Sequence, residues 1–583
     1  MHAAAARSPG AMVAAGAEAS PRDPAPAIHG AVLVFTALLV AAPIVVIAIQ
    51  SLQSAPLYDA ARTWTLDGYF RLFGHAEFRE AVANSLYLAA VATVVATIVG
   101  VASAVAIVRF DVPGRSWLEG AMLGPIYISQ LVLALGWYVL YGPAGYVSLF
   151  FQQWLGETPW NLASIPGMGV LGGLAMAPAV MLFCTSSLSL MDASLEDAAR
   201  SAGASPLRVV RSVTLPLLRP AIIYSVLLTF VGGLEMLSIP LVFGWPAGLE
   251  FFTTFLLRET MGRAEPDYGV LGAAALALLA LVATLVLLQQ KLLAHRQRFV
   301  TVRGKSQRPK PIDVGPWRWV LFGAFGVYLT FTVVLPMAAL VVRSFVVYLT
   351  PLLSPWQFLT LDHYRTMVEQ DIFVRSILNS LVIATIGAAV CTALIALITA
   401  VVQRSEFRYA RHLEMLTMFP RAIPGMVVGI GFLWAVLWIP GLSILHGTLA
   451  IMVIAFTMRD LPTAYATVAP SFLQIGKEID QSARVSGASW WRTMRSIVVP
   501  IARPALIACY LIVFISFIKE YASAVFLYAP GNEIIGTTML SVWAKGDVGP
   551  VAALSVIQLA FTLALVAILA WLGRGLPRAV EGD

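Results

Sequence analysis

Charge is what this chain has least of. Asp, Glu, Lys and Arg make up 12% of its 583 residues, against roughly 25% in soluble domains, while 59% are hydrophobic and the mean hydropathy is +0.82. Such a composition reads as a membrane protein. Cysteine is scarce as well. Cys184, Cys391 and Cys509 fall in separate apolar runs with no CxxC or Cys/His spacing, so neither a disulfide framework nor a metal site is indicated and the thiols read as small packing residues. Segments of about ten alternating apolar and polar residues, the mark of an outer-membrane barrel, are missing. So are HExxH, GxSxG and any convergent acid and base set, which leaves a membrane enzyme without a candidate nucleophile or metal set. Gly304-Lys305-Ser306 resembles the end of a phosphate-binding loop, but Phe299 stands where its first Gly would fall and no strand precedes it.

What is present is a series of apolar runs near the ~20 residues that span a hydrocarbon core as helix. Helices are expected at 31–49, 84–108, 120–140, 166–190, 216–241 and 268–292, then at 317–344, 378–402, 413–437, 447–470, 500–527 and 550–572. The expected fold is therefore all-α, with about 12 transmembrane helices in two six-helix units at 29–292 and 317–573. Residues 1–28, rich in Ala, Pro and Gly, read as a disordered tail. The run that follows is longer than a signal-peptide core and reads as a retained helix. The linker 293–316 belongs to a basic run holding Lys291, Arg296, Arg298, Arg303, Lys305, Arg308, Lys310 and Arg318 against Asp313 alone. Excess Lys and Arg mark cytoplasmic loops. Counting back through an even number of helices puts both termini on that side, including the tail 574–583. The formal net charge of +7 is thus read as topology and not as a nucleic-acid surface.

The two units repeat. Thr65-Leu-Asp-Gly-Tyr69 matches Thr360-Leu-Asp-His-Tyr364, Asn84-Ser-Leu86 matches Asn379-Ser-Leu381 and Pro125 matches Pro420, all 295 residues apart. Farther on, Gly203 matches Gly487, Pro216 matches Pro500 and Pro220 matches Pro504 at 284. The first half therefore holds about 11 extra residues, expected in the loop with Trp154, Trp160 and Pro166, because an insertion inside a spanning helix would spoil its length. An even helix count per unit makes the repeat parallel, related by an axis along the membrane normal.

The longest matched stretch runs from Glu196 to Ala221 and again from Asp480 to Ala505. Glu196 and Asp197 suit the first turn of a short helix, where carboxylates meet the positive end of the dipole. Ala198, Ala199 and Ala202 give that helix a small-residue surface, and Gly203 can end it in the left-handed conformation. Ser205-Pro206 reads as an N-cap with Pro at the first position of a second short helix. Both copies fall between the fourth and fifth helices of a unit, on the side of the basic linker. One copy could be an ordinary amphipathic loop helix; two in register argue for a shared role.

This pattern resembles the EAA motif of the membrane subunits of binding-protein-dependent ABC importers: an acidic residue, two alanines, three residues, Gly, and a later Leu-Pro. The first copy supplies Asp197-Ala198-Ala199, Gly203 and Leu215-Pro216, the second Gln481-Ser482-Ala483, Gly487 and Val499-Pro500. The resemblance covers nearly all of 29–573, as two fused permease units of the type I importer fold. It implies that both loops dock on a separate ATPase dimer, which uses the ATP, so that no cofactor is bound by this chain, and that a periplasmic or lipid-anchored binding protein delivers the cargo. The second copy departs from the family pattern at Gln481 and Ser482. Asp480, one place earlier, is a candidate substitute for the lost charge; without it the two docking sites would be unequal, with Asp197 mattering more than Gln481.

Gly169 to Gly173 and Gly425 to Gly429 have GxxxG spacing, read as close helix packing. Glu235, Lys519 and Glu520 are charges inside the fifth helix of each unit, about 15 residues past Pro220 or Pro504, toward the outer half of the membrane. Two readings stay open: they pair across the halves, or Glu235 and Glu520 line the pathway and meet a cationic or metal cargo. Leu234-Glu-Met-Leu-Ser-Ile-Pro-Leu-Val-Phe-Gly244, Tyr528-Ala-Pro-Gly-Asn-Glu533 and Arg298-Phe-Val-Thr-Val-Arg303 look most like ferric-iron-type permeases. Fused thiamine and aminoethylphosphonate permeases are close in plan, and polyamine is a further cargo that the class admits. The other class left open is an ion-coupled secondary transporter, which would need neither an ATPase nor a docking loop.

Overall fold

The structure is a computed structural model and describes residues 25–192, 194–262, 266–294 and 311–575. The tails, most of the basic linker and Gly304-Lys305-Ser306 lie outside these. Among the described residues the regular structure is helical, with three isolated bridges besides. The first half contains α1 (Ala25–Gln50), α2 (Ala76–Arg109), α3 (Arg115–Tyr127), α4 (Gln130–Tyr141), α5 (Tyr146–Leu155), α6 (Ile165–Ser189), α7 (Ser194–Ser201), α8 (Leu215–Leu234), α9 (Phe252–Met261) and α10 (Tyr268–Ala294). The second half contains α11 (Trp317–Leu329), α12 (Leu335–Ser344), α13 (Asp371–Arg404), α14 (Ala410–Met418), α15 (Gly425–Trp438), α16 (Leu449–Gln474), α17 (Lys477–Val485), α18 (Arg503–Lys519), α19 (Ile535–Ala544) and α20 (Val548–Gly575).

Ten segments among the described residues are long and apolar enough to cross a membrane as they stand, and three further helix pairs pass if each bent pair counts as one span. Two of those pairs correspond to the expected helices at 413–437 and 500–527, bent by 109° and 74°. The third, Pro240–Ala247 with Phe252–Met261, is bent by 75° and was not foreseen. The expected helix at 216–241 stops at Leu234, because Gly232 and Gly233 weaken its last turn and Pro240 starts a new one. Similarly, the expected helix at 120–140 breaks at Ile128, whose backbone is extended. Its counterpart breaks at Ile423 and Pro424, so both breaks follow the matched Pro125 and Pro420.

The insertion lies where expected. α4 and α15 begin 295 residues apart, while α6 and α16 begin 284 apart. Between them, 142–164 carries the extra helix α5, whereas 439–448 holds only the turn Ser443–Leu445. Pro166 itself falls in the first turn of α6. Four π-helical turns among the described residues, at Val210–Thr214, Pro240–Gly244, Thr330–Val334 and Met494–Val498, each end two residues before a proline: Pro216, Pro246, Pro336 and Pro500. A proline lacks an N–H for the carbonyl four residues back and its ring pushes that carbonyl away, so the preceding turn widens.

The two halves exchange their first helices. α1 packs on α14 and α15 of the second half, and α12 packs on α4 of the first. Trp137 Nε1 donates to Thr332 O (3.0 Å) and Tyr141 Oη to Phe331 O (3.1 Å). The close approach is made possible by two glycines that match at the 295 offset: a Cβ on Gly136 would lie 2.9 Å from Pro336 O, and one on Gly431 2.8 Å from Pro43 O. The residues leading into α11 are stitched to the first half as well. Ile312 N donates to Arg109 O (2.8 Å), Asp111 N to Ile312 O (3.2 Å), and Arg318 lies 3.4 Å from Asp111. Gly431→Ala therefore forces a backbone contact apart and is expected to destabilise the bundle by ~1–3 kcal/mol. Thermal unfolding in detergent, compared with Gly120→Ala, where a Cβ meets nothing, reads the difference.

Candidate functional site

The two EAA-like loops have one geometry. α7 and α17 are short surface helices, each ended by a glycine with positive φ, Gly203 (+86°) and Gly487 (+80°). In both, the glycine N–H bonds back to an arginine carbonyl, Gly203 to Arg200 and Gly487 to Arg484, each at 2.9 Å. The next N–H closes the turn: Ala204 N to Ala199 O at 3.1 Å and Ala488 N to Ala483 O at 3.0 Å. A new helical turn then starts at Pro206 or Trp490 and runs through the π turn into Leu215-Pro216 or Val499-Pro500.

What holds each loop is a buried ion pair to the end of the second long helix. Arg109 Nε donates to Glu196 Oε1 (2.9 Å), and both side chains are almost fully buried. The same oxygen accepts from Thr214 Oγ1 (2.8 Å), and Arg109 Nη2 reaches Leu188 O (3.3 Å). In the second half Arg404 Nη1 donates to Asp480 Oδ2 (3.1 Å), and Nη2 donates to the carbonyls of Phe472 and Ile475. Arg109 and Arg404 match at 295, Glu196 and Asp480 at 284. Asp480 is thus the structural counterpart of Glu196, and its charge faces inward. The family's acidic position is the outward one: Asp197 is exposed and pairs with Arg200, and Gln481 is exposed likewise.

The outward surface carries a second matched set, not singled out in the sequence. Leu195 and Ile479, and Leu207 and Trp491, are exposed apolar pairs at the same 284 spacing. Leu207 is 76% and Trp491 41% accessible. A hydrophobic residue followed directly by a charged one, Leu195-Glu196 with Ile479-Asp480 and Leu207-Arg208 with Trp491-Arg492, at a fixed repeat offset was the available signal. Ala198, Ser482, Gly203 and Gly487 are exposed beside them, while Ala483 is buried and Pro216 lies partly buried at the start of α8.

The intramembrane charges sit where the fifth spans end. Glu235 is the residue after α8, and Glu520 the residue after α18, so neither lies within a helix as expected. Glu520 pairs with Arg459 of α16 (2.7 Å) and accepts from Ser523 N (3.0 Å) and Oγ (3.1 Å). Lys519 turns the other way, donating to Ile126 O of the first half (2.6 Å). Glu235 lies within electrostatic reach of Arg459, Glu520 and Arg421. Asp460 accepts from Ser516 Oγ (3.0 Å). Glu235 forms no ion pair with Lys519 of the other half among the described residues; Arg459, visible in the sequence as a charge inside the 447–470 run, pairs with Glu520 and acts electrostatically on Glu235. Gly425 makes room for it, since a Cβ there would overlap the Arg459 guanidinium, and a Cβ on Gly429 would overlap Ser523 O. This GxxxG pair thus shapes the ionic cluster, whereas Gly169 and Gly173 abut Val91 and Val95 of α2. Beside the cluster, Ser238 and Tyr521 hydroxyls meet across the halves at 2.7 Å. A cavity of about 720 Å³ lies between the two halves, with Tyr138, Trp245, Tyr528 and Trp543 among its lining. Among the described residues no group of three or more His, Cys, Asp or Glu could hold a metal ion.

Two parallel six-span halves that swap first helices, with a matched loop helix on each at one end and an ionic cluster between them, define a two-unit membrane permease of the type I ABC importer fold. The chain belongs to the family described as "Binding-protein-dependent transport system inner membrane component", which matches residues 10–299 and 392–578. It is 26% identical over 528 residues to the "Ferric transport system permease protein FbpB" of Actinobacillus pleuropneumoniae, covering 88% of this chain and 74% of that one. It is 26% identical over 542 residues to the "Probable ABC transporter permease protein y4fN" of Sinorhizobium fredii, covering 90% and 93%. A stretch of 223 residues is 27% identical to the "Sulfate transport system permease protein CysW" of a Synechocystis species, covering 38% of this chain and 79% of that one. The protein is accordingly a multi-pass inner-membrane permease subunit of an ABC importer, and the ion-coupled secondary transporter left open by the sequence is set aside.

Proposed function

We propose that this permease forms the cargo pathway between its two halves and is driven by a separate ATPase dimer gripping α7 and α17. The observation that carries the reading is the shared geometry of the two loops: each is anchored from below by a buried arginine–carboxylate pair and presents an apolar side chain, Leu207 or Trp491, to solvent. A rigid foot with an exposed apolar toe transmits a push from a partner; a loosely held loop would absorb it. Two such feet suit two copies of one ATP-binding subunit, with both termini and the 293–316 linker on the cytoplasmic side. A periplasmic or lipid-anchored binding protein would deliver cargo at the opposite end.

The cargo we propose is ferric iron, supported by the names of the relatives that span most of this chain; the match to a sulfate permease covers a smaller share. Glu235 and Glu520 supply negative charge beside the Ser238–Tyr521 bridge, suited to a passing cation, and Lys519 ties the halves. Burying Leu207 and Trp491 is worth roughly 1.5–3 kcal/mol per side chain. Leu207→Asp with Trp491→Asp is therefore expected to abolish co-purification of the ATP-binding subunit and ATP-dependent uptake of radiolabelled iron, with the permease still folded. An intact complex in that double variant counts against docking through these loops; an intact complex that takes up no iron in the unmodified protein counts against the cargo alone.

A further inference from the structure

The first spanning segment of each half ends, on the side away from α7 and α17, in a hairpin of the same construction. After α1 the strands of 51–66 are joined by the Gln53–Trp64 bridge, with Ser54 N donating to Thr63 O (3.0 Å) and Thr65 N to Leu52 O (2.9 Å). After α12 the Val346–Leu359 bridge joins 345–361, with Val347 N donating to Phe358 O (3.1 Å) and Thr360 N to Phe345 O (2.8 Å). Both expose aromatic and apolar side chains, Tyr58, Trp64 and Leu66 on the first among them, but they differ in charge. The first carries Asp59 and Arg62 among Gln53, Ser54 and Thr63, while residues 345–361 hold no charged side chain at all. On the second, Tyr348, Leu352, Trp356 and Leu361 are all more than 60% accessible.

Beneath this apolar hairpin is a cavity of about 560 Å³, lined by Leu140, Leu335, Ala338, Val342, Val346 and Trp356 among others, nearly all of them apolar. Ala338 and Val342 lie on the outward side of α12, continuous with the exposed Phe331 and Val334 one turn and more below. The groove therefore opens onto the surface that hydrocarbon solvates. Arg343 Nη1 donates to Val346 O (2.7 Å), pinning the hairpin's base to the end of the span. A hairpin fixed at that level, uncharged and tipped with Trp and Tyr, has the composition of a membrane-interface belt.

We propose that the 345–361 hairpin lies in the membrane interface and that the groove beneath it takes an acyl chain of one phospholipid, while the matching 51–66 hairpin stands in water. With no charge on the hairpin, recognition is of the chain and not of an anionic headgroup. The lipid would pack between the swapped α12 and α4, bracing the contact between the halves.

The native cysteines are buried, so an environment-sensitive maleimide dye can be placed at one site in the full transporter in lipid nanodiscs. For Leu352→Cys the expected result is blue-shifted emission that is quenched by phospholipids brominated near the start of the acyl chain; for Asp59→Cys, emission as in water and no quenching. Native mass spectrometry of Ala338→Trp, which fills the groove from an exposed position, is expected to show one fewer retained phospholipid than the unmodified protein. Water-like, unquenched emission at position 352, a change there only on adding the binding protein, or an unchanged lipid count in Ala338→Trp would overturn the proposal, the second of these giving the hairpin to a protein partner.

Discussion

Glu196→Ala is expected to release the first loop from the body of the permease and to stop coupled ATP hydrolysis. The change leaves the Arg109 guanidinium, almost fully buried, with Leu188 O as its remaining partner of those described above. Removing one member of a buried ion pair typically destabilises by ~3–5 kcal/mol, because the surviving charge stays desolvated. The second loop gives an internal comparison. Asp480→Ala also strands an arginine, but Arg404 keeps the carbonyls of Phe472 and Ile475, and Asp480 is partly exposed, so a smaller loss is expected. Limited proteolysis of the complex, with ATP hydrolysis measured alongside, ranks the two. A conservative Glu196→Gln keeps an acceptor for Thr214 and should retain part of the stability. If the order were reversed, the anchoring role assigned to Glu196 would be wrong.

The second large effect is expected at Glu520. Glu520→Ala leaves Arg459 in the membrane facing Glu235, with a weak 3.4 Å contact to Ser523 Oγ. A lone arginine at the centre of a spanning helix is unfavourable by ~2.5–3.5 kcal/mol on insertion scales, so lower yield and a lower unfolding temperature are expected. Glu235→Gln differs: it removes a charge without breaking the Arg459–Glu520 pair, so stability should change little while uptake of a cationic cargo falls. Measuring unfolding and radiolabelled iron uptake on both variants separates a structural carboxylate from a pathway one. Full uptake in the Glu235→Gln, Glu520→Gln double variant would remove the pathway role from both.

The parts of this architecture that repeat were legible in the sequence. Matched prolines, glycines and the Glu196 and Asp480 stretches gave two units, the insertion between Pro125 and Glu196, and both loops, because a parallel duplication preserves spacing. What could not be read are contacts between residues far apart in the chain. The helix exchange depends on Gly136 meeting Pro336 and Gly431 meeting Pro43, each acceptable on its own as an ordinary glycine in an apolar run. The ion pairs of Arg109 and Arg404 join segments 76 to 87 residues apart, and hydropathy treats the arginines as helix-end charges. The bent segment after Leu234 escaped notice because hydropathy registers no break within the uncharged stretch 236–249, while the second arm, Phe252–Met261, is short and carries Arg258 and Glu259. Helix five was drawn through Glu235 and Glu520 for the same reason, although a charge at the end of an apolar run is as good a stop signal as a charge inside it is a functional one.

The central claim is that two matched feet, anchored within the membrane domain, receive the motion of the ATPase. Cysteines placed singly at Leu207 and Trp491 and cross-linked to the ATP-binding subunit in the assembled transporter test it directly. Cross-links from both positions, with transport arrested while they hold and restored on reduction, are the predicted result. No cross-link from either position to the ATP-binding subunit, or transport that persists while the cross-links hold, would contradict it.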